Sequence, residues 1–194
     1  FDGAWAAGDT ALLLLGFQAV AVEQLGAEET AEIAARLASV AIRAGIPVFA
    51  TRRGAGAGTA IAHRRQSFED AAPEIGSAGW RLVPALATLA TAIFDHAGDN
   101  AFYRTGLEAR LRQEGRRNLL IAGLPTDGLV HATMRAGNDM GFEALAIADA
   151  CRGTTEARHV AQLRITTFGN GLFGAVAEST AVIAALSVET RSDA

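Results

Sequence analysis

The stretch "NLLIAGLPTDGLVHATMRAGNDMGFEALAIADAC", residues 118–151, decides the fold. Its first part, 118–124, is a short apolar run of the kind that forms buried strands. Residues 126–141 predict a helix that ends at Gly141, and residues 142–150 predict a second strand. A strand, a helix and a strand in this order are typical of a parallel βαβ unit with a right-handed crossover.

The same alternation continues on both sides of this stretch. We predict further strands over 10–17, 46–52, 89–95 and 172–176, and further helices over 27–45, 105–115, 154–169 and 177–187. Strands that alternate with helices predict an α/β protein, in which a doubly wound, mostly parallel six-stranded sheet lies between two helical layers. We expect residues 1–194 to form a single Rossmann-like domain.

Residues 53–79 interrupt this rhythm. The segment is rich in glycine, arginine and polar residues, which predicts a long loop or an arm used in oligomer contacts. Its "GAGAG" (54–58) has no apolar helix behind it, so it does not match a nucleotide-binding fingerprint.

The composition restricts the classes of function. A chain of 194 residues that is 50% hydrophobic suits one globular domain with a sizeable core. No apolar run is long enough to span a bilayer, and a net charge of −4 does not favour nucleic acid as a partner. The single cysteine, Cys151, excludes an internal disulfide and multi-cysteine metal sites. With no recognisable signal peptide, we expect a cytoplasmic protein.

All 17 basic residues are arginine, and the chain contains no lysine. Arginine stays protonated, so no side-chain amine is available as a base or as a Schiff-base former.

Ligands of doubly wound sheets bind at the carboxyl ends of the strands, near the point where the strand order reverses. The candidate site is therefore formed by residues 16–18, 51–53, 95–102 and 124–129.

Several segments together resemble the isochorismatase-like superfamily of cysteine hydrolases, which includes nicotinamidases, N-carbamoylsarcosine amidases and isochorismatases. The segments are "TALLLLGFQ" (10–18), "AGIPVFATR" (44–52), "TTEARHVAQL" (154–163) and the region 100–151, which is the most specific. The resemblance covers nearly the whole chain and implies the isochorismatase-like fold.

The resemblance also implies where catalytic residues would stand. The family's amidases use an aspartate that ends the first strand, a lysine after the third strand and a cysteine at the start of the helix after the fourth. In this chain the corresponding residues are Gly16, either Asp95 or His96, and Leu129. The resemblance therefore implies a member without the family's catalytic triad, which acts by ligand binding or by assembly into a dimer or larger homo-oligomer.

An alternative is a hydrolase of a small amide, ester or vinyl ether that uses other residues. The candidates are Asp95, His96, Asp99, Asp127 and Cys151. Each also has a structural interpretation: Asp95 and His96 as an ordinary polar loop, Asp127 as a helix cap, and Cys151 as a buried thiol. Leu129 either lines an apolar ligand pocket or fills the space of a lost site.

The resemblance further implies a pocket for a small molecule and a cis bond between Leu124 and Pro125. The expected pocket residues are Phe17, Gln18, Phe102, Leu124, Pro125, Thr126 and Gly128. We expect no cofactor. We also expect no metal, because "ATRRGAGAG" (50–58) lacks the aspartate and two histidines that hold a metal in some nicotinamidase-like members.

Overall fold

The computed structural model describes residues 5–54 and 73–192. The strands are β1 (Thr10–Leu15), β2 (Val48–Arg53), β3 (Ala92–His96), β4 (Asn118–Gly123), β5 (Glu143–Cys151) and β6 (Ala175–Ala177). The helices are α1 (Ala19–Leu25), α2 (Glu28–Arg43), α3 (Pro84–Ala87), α4 (Leu107–Gln113), α5 (His131–Asp139), α6 (Glu156–Thr166), α7 (Phe168–Gly171) and α8 (Ser179–Ser192).

The six strands form one parallel sheet in the order β3-β2-β1-β4-β5-β6. The chain winds outward from β1 to β3, returns to β4 beside β1, and then winds outward in the other direction. The strand order thus reverses between β1 and β4, and this arrangement confirms the predicted doubly wound sheet.

The sheet is covered by helices on both faces, which explains the continuous apolar run of β1. All six residues of β1 are buried. Leu12 and Leu14 pack in one core with side chains of α2, α3 and α8, whereas Leu13 and Leu15 pack in a second core with side chains of α4 and α5. Alternate side chains of a strand point to opposite faces, so a strand between two helical layers needs apolar residues at every position.

The predicted helix over 126–141 is in fact two elements. Thr126–Val130 forms a π turn, in which the carbonyl of Pro125 accepts hydrogen bonds from the amides of Gly128 and Val130, and α5 follows it. The Leu124–Pro125 bond is cis, as predicted.

Helix α1 has no counterpart in the sequence prediction. It has only seven residues and ends at Gly26, whose φ of +56° closes it. Seven residues span about two turns, which is too short for helical periodicity to stand out.

Of the predicted loop over 53–79, residues 55–72 lie outside the described residues. In the part of the chain that the structure describes, no helix is both long and apolar enough to cross a membrane.

Candidate functional site

A cavity of about 590 Å³ lies at the carboxyl ends of β1 and β4, where the strand order reverses. Helix α1, the π turn and the start of α6 complete its wall. The described residues that line it are Gly16, Gln18, Val20, Ala21, Gln24, Leu25, Arg53, Pro73, Leu124, Pro125, Leu129, Thr154, Thr155 and Arg158. Its volume is in the range of small-molecule sites.

Gly16 and Leu129 lie against each other at the base of this cavity. The φ of Gly16 is +70°, a conformation that side-chain-bearing residues rarely adopt. A Cβ atom on Gly16 would lie 2.6 Å from the carbonyl oxygen of Leu124 and 2.8 Å from Cδ2 of Leu129. The backbone at residue 16 therefore leaves no room for a side chain, and Leu129 occupies the space beside it.

Gln18 holds the end of β2 in place. Its Oε1 accepts a hydrogen bond from the amide of Arg53 at 2.7 Å, and its Nε2 donates to the carbonyls of Arg53 and Trp80, both at 2.9 Å. These bonds fix the backbone of Arg53, whose Nη1 donates to Oδ1 of Asp99 at 2.8 Å. Gln18 thus acts in this wall by positioning a buried arginine.

The cavity wall also contains a hydrogen-bonded group on the segment that leads into α6. Asp127 accepts from the amide of Thr154 at 2.8 Å and from its hydroxyl at 2.6 Å. Nη1 of Arg158 donates to the same hydroxyl oxygen at 3.1 Å. Thr155 is the N-cap of α6, because its hydroxyl accepts from the amide of Arg158.

A comparison with known protein families shows that residues 10–181 match the model of the isochorismatase domain. This match covers most of the chain. The chain belongs to the isochorismatase family. Six parallel strands in a doubly wound order, with a cavity at their carboxyl ends, are the structural counterpart of this match.

The chain is distantly similar to three individual members or structural relatives of the family. The chain is 31% identical over 86 residues to the ureidoacrylate amidohydrolase RutB of Acinetobacter baylyi, a stretch that covers 43% of this chain and only 34% of that enzyme. It is 29% identical over 135 residues to YecD of Escherichia coli O157:H7, an uncharacterized isochorismatase family protein, over 69% and 72% of the two chains. A cysteine hydrolase from Pseudomonas syringae superposes with a TM-score of 0.82 over 95% of each chain, at 20% identity.

Asp95 and His96, at the position that the resemblance assigns to the family's lysine, do not line the cavity. They end β3, which is separated from β1 by β2. Asp95 accepts from Nε and Nη2 of Arg52 at 2.7 and 2.9 Å, on the neighbouring strand.

His96 is buried, and both of its ring nitrogens are engaged. Nδ1 donates to the carbonyl of Gly98 at 2.7 Å, and Nε2 lies 3.3 Å from the hydroxyl of Thr51. A carbonyl only accepts, so Nδ1 carries the proton and Nε2 accepts from Thr51. Burial lowers the pKa of His96 below its usual range, although the bond to Gly98 acts in the opposite direction. A neutral, fully bonded imidazole on a neighbouring strand is a structural element of the sheet edge.

Cys151 lies in the core beside β4, away from the cavity wall. Its side chain is 4% exposed, and burial raises the pKa of the thiol to about 12. A thiol in this environment is protonated at neutral pH and a poor nucleophile.

Of the expected pocket residues, the structure brings Gln18, Leu124 and Pro125 to the cavity wall. Phe17 packs in the core on the α2 side of the sheet, whereas Phe102 stacks on Phe142 in the opposite core. These two rings lie on different faces of the sheet, so Phe17 and Phe102 do not belong to one pocket wall.

Thr126 and Gly128 are also outside the lining. Thr126 is buried, and its hydroxyl lies 2.8 Å from Nδ1 of His159, which ties the π turn to α6. Gly128 packs against Pro125 on the side of the turn. Among residues 5–54 and 73–192, no group of three or more histidine, cysteine, aspartate or glutamate side chains is placed to hold a metal.

Sequence patterns do not indicate the cavity residues that α1 contributes, and they point only weakly to those near α6. Val20, Ala21 and Leu25 reach the wall through a helix that was not predicted. One sequence feature could have indicated Arg158. It is a cation in the first turn of a helix, where the helix dipole disfavours positive charge, and an unfavourable position of this kind is typical of a functional residue.

Proposed function

We propose that this isochorismatase-family protein binds a small molecule in the cavity at the carboxyl ends of β1 and β4 without hydrolysing it. The observation that carries the proposal is the composition of the wall. Among the described lining residues there is no thiol, carboxylate, imidazole or amine. What lies at the base is Leu129, packed beside a glycine that has no room for a side chain.

Hydrolysis of an amide needs a nucleophile and a group that moves its proton. Arg53 and Arg158 stay protonated and do neither. Leu129 and Gly16 supply no reactive atom. The wall retains what binding needs, namely apolar surface from α1 and the π turn together with a few polar groups in fixed positions.

The first experiment tests for hydrolysis. The wild-type protein is incubated with nicotinamide, carbamoyl amides and isochorismate, and product formation is followed by chromatography. An active nicotinamidase serves as the positive control for the amide assay. We expect no turnover above buffer, and turnover of any of these compounds well above buffer would refute the proposal.

The second experiment tests binding. Thermal unfolding is measured with benzamide, benzyl alcohol and benzoate as probes, in the wild type and in two variants of α1. Ala21→Trp fills the cavity, whereas Glu23→Trp places the same ring on the exposed side of the helix. We expect at least one probe to raise the Tm of the wild type and of Glu23→Trp but not of Ala21→Trp. Equal shifts in all three proteins, or no shift in any, would contradict the proposal.

A second candidate function rests on the hydrogen bond between Thr154 and Asp127. Thr154 lines the cavity, and its hydroxyl donates to a carboxylate, as a nucleophile would donate to its base. The same arrangement occurs between Asp149 and Ser179 at the start of α8, where Asp149 accepts from the amide and the hydroxyl at 2.8 and 2.6 Å. This repetition favours a structural role at helix starts. If the wild type hydrolyses a substrate, loss of activity in Asp127→Asn with an unchanged fold would support the catalytic alternative.

A further inference from the structure

Among the described residues that line the cavity, the charged ones are all arginines. Two arginines, Arg53 and Arg158, belong to its wall, and no aspartate or glutamate does among the described lining residues. Two described acids outside the lining are bonded to wall residues: Asp99 to Arg53, and Asp127 to Thr154.

Arg158 differs from Arg53 in that no described carboxylate is paired with its guanidinium group. Among the residues that the structure describes, it forms no ion pair, and its one side-chain hydrogen bond goes to the neutral hydroxyl of Thr154. It also occupies the first turn of α6, where a cation is disfavoured by the helix dipole. The stability of the helix therefore does not account for this arginine, whereas an anion in the adjoining cavity would.

Arg53 contributes a second, more rigid cation. It is 9% exposed, and its backbone is held on both sides by the side-chain amide of Gln18. Its ion pair with Asp99 uses Nη1 at 2.8 Å and restrains the guanidinium group. A charge held in this way loses little conformational entropy when a ligand binds.

The remainder of the wall is largely apolar. Val20, Leu25, Leu124 and Leu129 offer carbon surface, and the two arginines are on the segments that flank it. Arginine recognises carboxylates and phosphates through paired N–H groups. We infer that the ligand is a small organic anion, with an apolar body against these side chains and its acid group at Arg158 and Arg53. This inference rests on the proposed function, since it specifies what the same cavity binds.

Titration calorimetry with benzoate, phenyl phosphate and benzamide tests the inference. These probes share one ring and differ in the attached group, so they separate a carboxylate from a phosphate ligand and both from a neutral one. We expect benzoate or phenyl phosphate to bind at least about tenfold more tightly than benzamide, because hydrogen bonds to charged groups are stronger than neutral ones. The affinity for the anion should fall as salt is added.

Two arginine variants of α6 assign the effect to a residue. Arg158→Ala should weaken binding of the preferred anion about tenfold or more and leave benzamide unchanged. Arg164→Ala removes the same charge from the same helix outside the cavity, and it should bind like the wild type. Arg158→Gln keeps a donor for Thr154 and guards against a loss of local structure; it should lose anion affinity as the alanine variant does.

The results separate this inference from the proposed function. If benzamide binds as tightly as the anions, and Ala21→Trp abolishes that binding, the cavity is a binding site but not an anion site. Equal losses in Arg158→Ala and Arg164→Ala would also refute the inference, because they would reflect net charge alone. If no probe binds to the wild type, the proposed function fails as well.

Discussion

Replacement of Gly16 by alanine tests the close packing between Gly16, Leu124 and Leu129 at the cavity. The added Cβ would lie 2.6 Å from the carbonyl oxygen of Leu124 and 2.8 Å from Cδ2 of Leu129. Both distances are shorter than a normal contact, and the first is to backbone, which cannot move aside as a side chain can. The φ of +70° adds the cost of a left-handed conformation.

A matched control separates the two contributions to the loss of stability, the left-handed backbone and the close contacts. Gly45 has a φ of +76°, and a Cβ there would meet nothing within 4 Å. Gly45→Ala should destabilise by about 1 kcal/mol, because the left-handed conformation costs about 1–2 kcal/mol and the stiffer unfolded chain returns part of it. Gly16→Ala carries the same cost plus overpacking of about 1–3 kcal/mol, for a total of about 2–4 kcal/mol.

Urea unfolding followed by circular dichroism measures both values. A double variant with Leu129→Ala removes one of the two close contacts, so the cost of Gly16→Ala should be smaller in that background by about 1 kcal/mol. If Gly16→Ala is no more destabilising than Gly45→Ala, residue 16 is not closely packed and Leu129 does not fill the space beside it.

Three further predictions concern ionisable groups outside the cavity. The free energy of unfolding should fall as the pH drops below about 6.5, because burial lowers the pKa of His96 and of His131 and the unfolded imidazoles bind protons more readily. The slope is at most about 1.4 kcal/mol per pH unit for each histidine, and a His96→Gln variant that keeps the full slope would contradict the assignment to His96. Cys151, with its thiol pKa raised to about 12, should not react with Ellman's reagent at pH 8 until urea unfolds the protein; rapid reaction of the native protein would show that the thiol is accessible. Asp95→Asn should cost at most about 1 kcal/mol in urea unfolding, because the ion pair between Asp95 and Arg52 is partly exposed, and a larger loss would mean that this pair supports the sheet edge.

Most of the fold could be predicted from local patterns. Residues 11–15 of β1 and 119–122 of β4 form continuous apolar runs, as a strand covered on both faces requires. The cis bond before Pro125 was also foreseen, from the resemblance. The π turn could not be predicted. It is defined by a hydrogen bond from the Val130 amide to the Pro125 carbonyl, and its residue types are the same as those at the start of an ordinary helix.

The candidate site was only partly predictable. The ends of β1, β2 and β4 were expected at the cavity, and Gly16, Gln18 and Arg53 are there. The sequence alone could not exclude Asp95 and His96, at the end of β3, from the cavity. The strand order excludes them, because β2 lies between β3 and β1.

The sequence by itself determined the order of strands and helices, and which residues stand at the positions that the family resemblance assigns to catalysis. Both follow from residue types along the chain. Only the tertiary structure decided that Leu129 fills the space beside Gly16. It also decided that Arg53 and Arg158 line one cavity, whose described lining residues include no aspartate or glutamate. These contacts join distant segments, and they depend on strand register and on the rotation of each helix against the sheet, which neighbouring residues do not encode.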